Sequence, residues 1–252
     1  MTKICAANWK LNFSTDEARR YFIDWQNSSK AAPVACEIAF FVPAYDLSVA
    51  AEFASTNGFQ FGPQNIYFAN DGAFTGEISP QAVHALGARI ALIGHSERRM
   101  LFGETDDLIA KKVRAAMAAD LMPILCVGET LAERESHQTK HVVARQLRAG
   151  LELAVSEFTQ ARPFAIAYEP VWAIGTGKVA TAAQASEMHA EIRRELESLL
   201  GKKRAHEIQI LYGGSVKPDN AQELASQPNI DGFLVGGASL KPKDFLAIAS
   251  KL

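Results

Sequence analysis

Glu169 closes the apolar run Phe164–Tyr168, inside the stretch AYEPVWAIGTGKVAT at 167–181. A carboxylate at the end of a buried strand loses solvation unless it is paired or used. Pro170 stiffens the chain beyond it, and Gly175 and Gly177 loosen it, so the segment reads as a lid with a fixed stem and a loose tip. His95 lies in Gly94-His95-Ser96-Glu97, where another apolar run ends and a short helix is expected to open. A helix N-terminus disfavours imidazolium and keeps such a ring neutral, able to donate a hydrogen bond. Lys10, held between Asn8-Trp9 and Leu11-Asn12, is placed to meet an anion, and its presence makes Asn8 more than a turn residue. Gly213-Gly214-Ser215 and Gly236-Gly237 bring bare backbone to the ends of two further runs, and such amides beside a short helix bind phosphate. A carboxylate base, a neutral histidine donor, an ammonium and a phosphate seat describe proton abstraction beside a carbonyl on a small phosphorylated substrate.

Other reactive residue types have plainer readings. Glu97, Arg98, Arg99 and Glu104 read as a structural ion-pair network, with Glu97 a minor catalytic candidate. Cys5, Cys36 and Cys126 lie in or beside strand-like runs without the spacing of a metal knuckle, so all three are expected as buried thiols. His137 and His141, four apart on an expected helix, lack a glutamate beside the first and read as a solvated face, so no metal site is assigned.

Positioning these groups requires a repeated unit. Short β-rich runs occur near Ile4–Ala7, Ile38–Val42, Phe59–Gly62, Ile90–Ile93, Pro123–Val127, Phe164–Tyr168, Ile208–Tyr212 and Phe233–Val235. Amphipathic stretches lie between them, the clearest being Asp106–Ala119, Thr139–Phe158 and Thr181–Leu200. Ser79-Pro80 starts a helix and Gly201 stops one. Eight strand-then-helix units imply an α/β fold with a parallel sheet, closed as a (β/α)8 barrel forming one domain over 1–252; an open doubly wound sheet is the runner-up. In the barrel, Asn8, Lys10, Asn65, His95, Glu97, Glu169 and both glycine pairs fall on one rim, where barrel enzymes keep their active sites.

The 252 residues carry a formal net charge of −2, so no basic field argues for nucleic acid. Apolar residues make up 48%, enough for a large core, and no run approaches the roughly 20 apolar residues of a membrane span. MTKICAANWK moves straight into a strand without a leader pattern, so a cytoplasmic location is expected.

The segments NWKLN (8–12), GAFTGEIS (72–79), GHSERR (94–99), YEPVWAIGTGK (168–178), YGGSV (212–216) and GFLVGGASL (232–240) resemble the triosephosphate isomerase family along nearly the whole chain. The resemblance implies interconversion of dihydroxyacetone phosphate and glyceraldehyde 3-phosphate through an enediolate, with no cofactor. It gives Glu169 the proton transfer, His95 the carbonyl oxygens, and Lys10 and Asn8 the enediolate's charge. Gly175, Ser215, Gly236 and Gly237 would hold the phosphate. Leu11, where many relatives have Met, and Pro63 depart only peripherally. The segment QNIYFANDGAFTGE (64–77) carries Ile66, Tyr67, Phe68 and Phe74 and is long for a loop. In the family it enters a second subunit, which implies a homodimer with Thr75 near the partner's site. Two other readings stand at this stage: a Schiff-base aldolase using Lys10, and a phosphate-binding barrel without catalysis.

Overall fold

The apolar runs are continuous because each strand must fill two layers at once, successive side chains entering the inside of a ring and the gap between ring and helices. The computed structural model describes residues 2–154, 162–173 and 180–252. Its strands are β1 (Ile4–Asn8), β2 (Glu37–Val42), β3 (Gln60–Pro63), β4 (Ile90–Ile93), β5 (Met122–Val127), β6 (Ala165–Tyr168), β7 (Gln209–Tyr212) and β8 (Gly232–Val235). They form one sheet in the order β3-β2-β1-β8-β7-β6-β5-β4, each neighbouring pair parallel.

The two ends of that order, β3 and β4, come together where the Arg89 amide donates to the Phe61 carbonyl (3.3 Å). A Cβ on Gly62 would lie 1.8 Å from the Ile90 carbonyl oxygen, so only glycine lets the seam approach this closely. The result is a nearly closed (β/α)8 barrel, which excludes the open doubly wound sheet. Ile4, Ala6, Phe41, Leu92, Ile124 and Leu211 pack within its inner layer. Cys5, Phe40, Val127, Ile166, Tyr168 and Tyr212 instead join the larger layer under the helices.

The helices start and stop where local chemistry requires. Ser79 caps Pro80–Ala85 by accepting the Ala82 amide (3.2 Å), and Thr181 and Gln184 form a reciprocal capping box on Ala182–Leu200. Gly201, at φ 80°, ends that helix. The helix expected over Thr139–Phe158 is described over Thr139–Glu152, and 155–161 lie outside the described residues.

Two expectations are corrected. His137 does not share a helix with His141: it sits at φ 57° in the turn between Leu131–Glu135 and Thr139–Glu152. Cys36 is only half-buried, because it precedes β2 and is not within it, whereas Cys5 and Cys126 are fully buried.

Candidate active site

β1 ends in Asn8, whose Oδ1 accepts the amide of Lys10 (3.0 Å) and turns the chain sharply. Lys10 is thereby held at φ 54°, a left-handed conformation that costs a non-glycine residue about 1–2 kcal/mol. Gln64 Nε2 locks the turn from the end of β3 by donating to the Lys10 carbonyl (2.8 Å). Strain retained at a strand end and braced from a second strand marks a position where orientation matters. The Lys10 ammonium meets Glu97 Oε1 at 2.5 Å.

Glu169 follows β6 and is tied to β5 by its amide, which donates to the Val127 carbonyl (2.8 Å). A Cβ on Gly128 would stand 1.7 Å from the Glu169 carbonyl oxygen, so glycine at 128 is what allows the two strand ends to converge. The Glu169 side chain is 2% exposed, and both its oxygens are occupied. Oε1 lies 2.9 Å from His95 Nε2, and Oε2 accepts the Ser96 amide at 2.9 Å.

His95 is the N-cap of the short helix Ser96–Phe102, as its motif led one to expect. Its Nδ1 accepts the Glu97 amide (3.2 Å), which places the ring proton on Nε2, facing the carboxylate. Burial disfavours the charged form of each partner, yet the pair overcomes it. Burial pushes the Glu169 carboxyl up, but His95, the Ser96 amide and Lys10 pull it below the usual glutamate value. Burial likewise pushes the His95 ring down, while the adjacent Glu169 carboxylate raises it further, so its net direction is upward. This differs from the depression expected from the helix terminus alone. An amide aimed at Nδ1 leaves that nitrogen no proton, so we assign the neutral Nε2–H tautomer, with most of the upward pull coming from the paired Glu169.

The phosphate-type turns complete the mouth. The Gly213 amide donates to the Tyr168 carbonyl (2.8 Å), pinning the β7 turn to β6. After β8, Gly236 leads into the 3-10 turn Gly237–Leu240, the short helical element expected beside the second glycine pair. Asn8, Lys10, His95, Glu169, Ser215 and Gly236, together with Gly237, line one cavity of about 750 Å³. Gly175 and the lid tip at 174–177 lie outside the described residues. Thr75 is exposed in the 64–77 segment, away from this cavity's lining.

Other candidates separate from the site. Asn65 accepts from Lys112 Nζ (2.7 Å) and does not line the cavity. Arg98–Glu104 (2.5 Å) and Arg99–Asp106 (2.6 Å) are ion pairs, and Cys126 is packed inside the barrel with its thiol pushed well up by burial. Glu97 pairs with Lys10 and reaches His95 Nδ1 only at 3.6 Å.

Three residues that sequence reasoning passed over bear on the site. Ser96 docks Glu169 through its backbone, which leaves no trace in residue type. Gly128 acts by lacking a side chain. Glu129, fully buried after β5, accepts from Tyr168 Oη (3.1 Å), Trp172 Nε1 (2.8 Å) and Arg134 Nη1 (3.1 Å), and so anchors the stem beyond Glu169. Its signal was the strand-end rule that singled out Glu169, unapplied to Gly128-Glu129 after the fifth run.

The sequence profile described as triosephosphate isomerase matches residues 3–252. The triosephosphate isomerase of Bdellovibrio bacteriovorus is 50% identical over 250 residues, covering 99% of this chain and 100% of that protein. Those of Moorella thermoacetica and Magnetococcus marinus are 47% and 46% identical, covering 98% and 99% of this chain and 97% and 98% of their own. With this site at the mouth of this barrel, the chain belongs to the triosephosphate isomerase family.

Proposed function

We propose that Glu169, His95, Lys10 and Asn8 carry out the isomerisation proper to this family. The enzyme interconverts dihydroxyacetone phosphate and D-glyceraldehyde 3-phosphate, a step of glycolysis. The observation that carries the residue assignment is the Glu169–His95 contact of 2.9 Å within a cavity also lined by Lys10, Gly236 and Gly237.

With the phosphate on the backbone of Ser215, Gly236 and Gly237, the triose extends toward Glu169. Both carboxylate oxygens are occupied, so substrate must draw Glu169 away from the Ser96 amide and His95. Losing those partners while staying out of water removes what holds its basicity down. Glu169 then takes a proton from the carbon next to the carbonyl, and His95 Nε2–H donates to the carbonyl oxygen as negative charge develops there. Lys10 and Asn8 offset the enediolate's charge. Returning the proton to the neighbouring carbon completes the exchange. Gly175 would grip the phosphate from the lid, a role that rests on its motif.

A Schiff-base role for Lys10 is disfavoured by the same geometry. Its Nζ is committed to the Glu97 carboxylate, whereas an amine nucleophile must be unpaired and neutral. The deciding experiment supplies glyceraldehyde 3-phosphate and follows dihydroxyacetone phosphate with a coupled dehydrogenase. Turnover is expected with nothing added beyond the coupling enzyme and its own nicotinamide, and phosphoglycolate binding without turnover would leave only a non-catalytic barrel.

The reading extends to a homodimer of one catalytic domain, 1–252, through the 64–77 segment, with Thr75 near the partner's site, in the cytoplasm. Its support is apolar surface. Leu11 is 86% exposed and Leu101 72%, while Met100, Phe102, Phe68 and Phe74 are also exposed. No described helix is long and apolar enough to cross a membrane.

A further inference from the structure

Behind the β6 and β7 ends lies a buried polar layer that the isomerase chemistry above leaves unused. His189, on the helix Ala182–Leu200, is fully buried. Its Nδ1 is 2.8 Å from the Asn229 carbonyl oxygen, and a carbonyl can only accept, so Nδ1 carries the ring proton. Nε2 is therefore a bare lone pair, and it is buried without a partner among the described residues. Burial pushes the ring down to about 4, so it is neutral near pH 7.

The imidazole packs edge-on against Tyr168 at 6.0 Å and tilted against Tyr212 at 6.3 Å between ring centres. Tyr168 spends its hydroxyl on Glu129. The Tyr212 hydroxyl is buried and also has no partner among the described residues. An orphaned acceptor and an orphaned donor thus sit on adjoining rings whose centres are 6.3 Å apart.

The location gives this pair a functional reach. A Cβ on Gly214 would meet the Tyr212 hydroxyl at 2.2 Å and Pro170 Cγ at 3.1 Å. The hydroxyl therefore packs close against the Gly213-Gly214-Ser215 turn, where Pro170 also approaches. We propose that His189 is a positioning residue for the phosphate seat: its Nε2 accepts a hydrogen bond from the Tyr212 hydroxyl, directly or through one water, and so fixes the turn that carries Ser215. This rests on the isomerase reading for its consequence, though not for its geometry. Arg193, one turn along the helix, is the competing donor. Its Nη atoms are taken by the Ala205 and Ile208 carbonyls and Asp231, but its Nε has no partner among the described residues.

Ring-nitrogen NMR of the whole enzyme separates these cases without any turnover. The 15N resonance of His189 Nε2 is expected to move toward that of an unbonded lone pair in Tyr212→Phe. An unmoved resonance would hand the acceptor to Arg193 and overturn the proposal. In kinetics, His189→Leu is expected to raise both KM for the triose phosphate and Ki for inorganic phosphate by about fivefold to tenfold, the worth of one buried hydrogen bond, with a smaller change in kcat. His189→Gln, which keeps an acceptor oxygen, should recover most of the loss. Adding Tyr212→Phe to His189→Leu should change little. Fully multiplicative effects, or a folded His189→Leu enzyme with unaltered phosphate Ki, would refute the role. An NMR link present in a protein without isomerase activity would instead sink the catalytic reading alone.

Discussion

At the level of single residues, the pairing of Glu169 with His95 and the Ser96 amide is set against premature chemistry. Glu169 has both oxygens satisfied and its basicity held down, and in the proposed reaction the substrate itself releases it. Glu169→Gln keeps shape and most hydrogen bonding but removes the base, so kcat is expected to fall by about 10²–10⁴-fold with KM little changed. Steady-state assay of the variant decides this, and near-wild-type turnover would take Glu169 out of the mechanism. Gly128→Ala tests the geometry from the other side. Its Cβ would overlap the Glu169 carbonyl oxygen, so the strand ends must part, at a cost of about 3 kcal/mol or more by denaturant titration and with loss of activity. Glu169, His95, Lys10 and the glycine pairs were legible in the sequence because polar or bare residues at the ends of apolar runs carry a desolvation cost that demands a reason. Ser96 and Gly128 were not, since one acts through a backbone amide and the other through an absent side chain.

Elements follow from simpler rules, and most of the barrel was readable from them. Short β-rich runs located the strands to within a residue, and cap residues such as Ser79 and Thr181 marked helix starts. Thr181→Ala removes the acceptor for the Gln184 amide and is expected to lower stability by about 1 kcal/mol, read as a shift in urea midpoint at constant slope. His137 escaped the same rules because nothing in the 3.6-residue pattern announces a left-handed residue between two short helices. Strand order was equally silent. Only the seam, where Gly62 admits the Ile90 carbonyl, distinguishes a ring from an open sheet, and it joins residues whose proximity no local pattern encodes.

For the whole molecule, burial of a neutral histidine links stability to acidity. His189 is held at about 4, below the ordinary 6.5, so between those values the unfolded chain binds more protons than the folded one. Stability from this group is complete above pH 6.5 and is lost on acidification through pH 4, up to about 3 kcal/mol. Glu169, held below its usual value, adds a further loss at the acid end of that range. Unfolding free energy measured at several pH values should fall across the window, and His189→Gln should flatten the slope. The proposed homodimer is tested by sedimentation with parallel assay: dilution or a charge placed at Phe74 should separate subunits and reduce activity together, and a fully active monomer would dismiss the interface.

The β3–β4 seam has a consequence for how the ring comes undone. Every other neighbouring pair is joined by a regular ladder, while these two strands meet through the Arg89 amide on Phe61. Among the described residues the cylinder therefore has a single hasp, and thermal breathing should begin by unlatching it, leaving a curled ribbon with its remaining rungs intact. In deuterium, the Arg89 amide should exchange ahead of those buried in β1 and β8, on the far side of the ring.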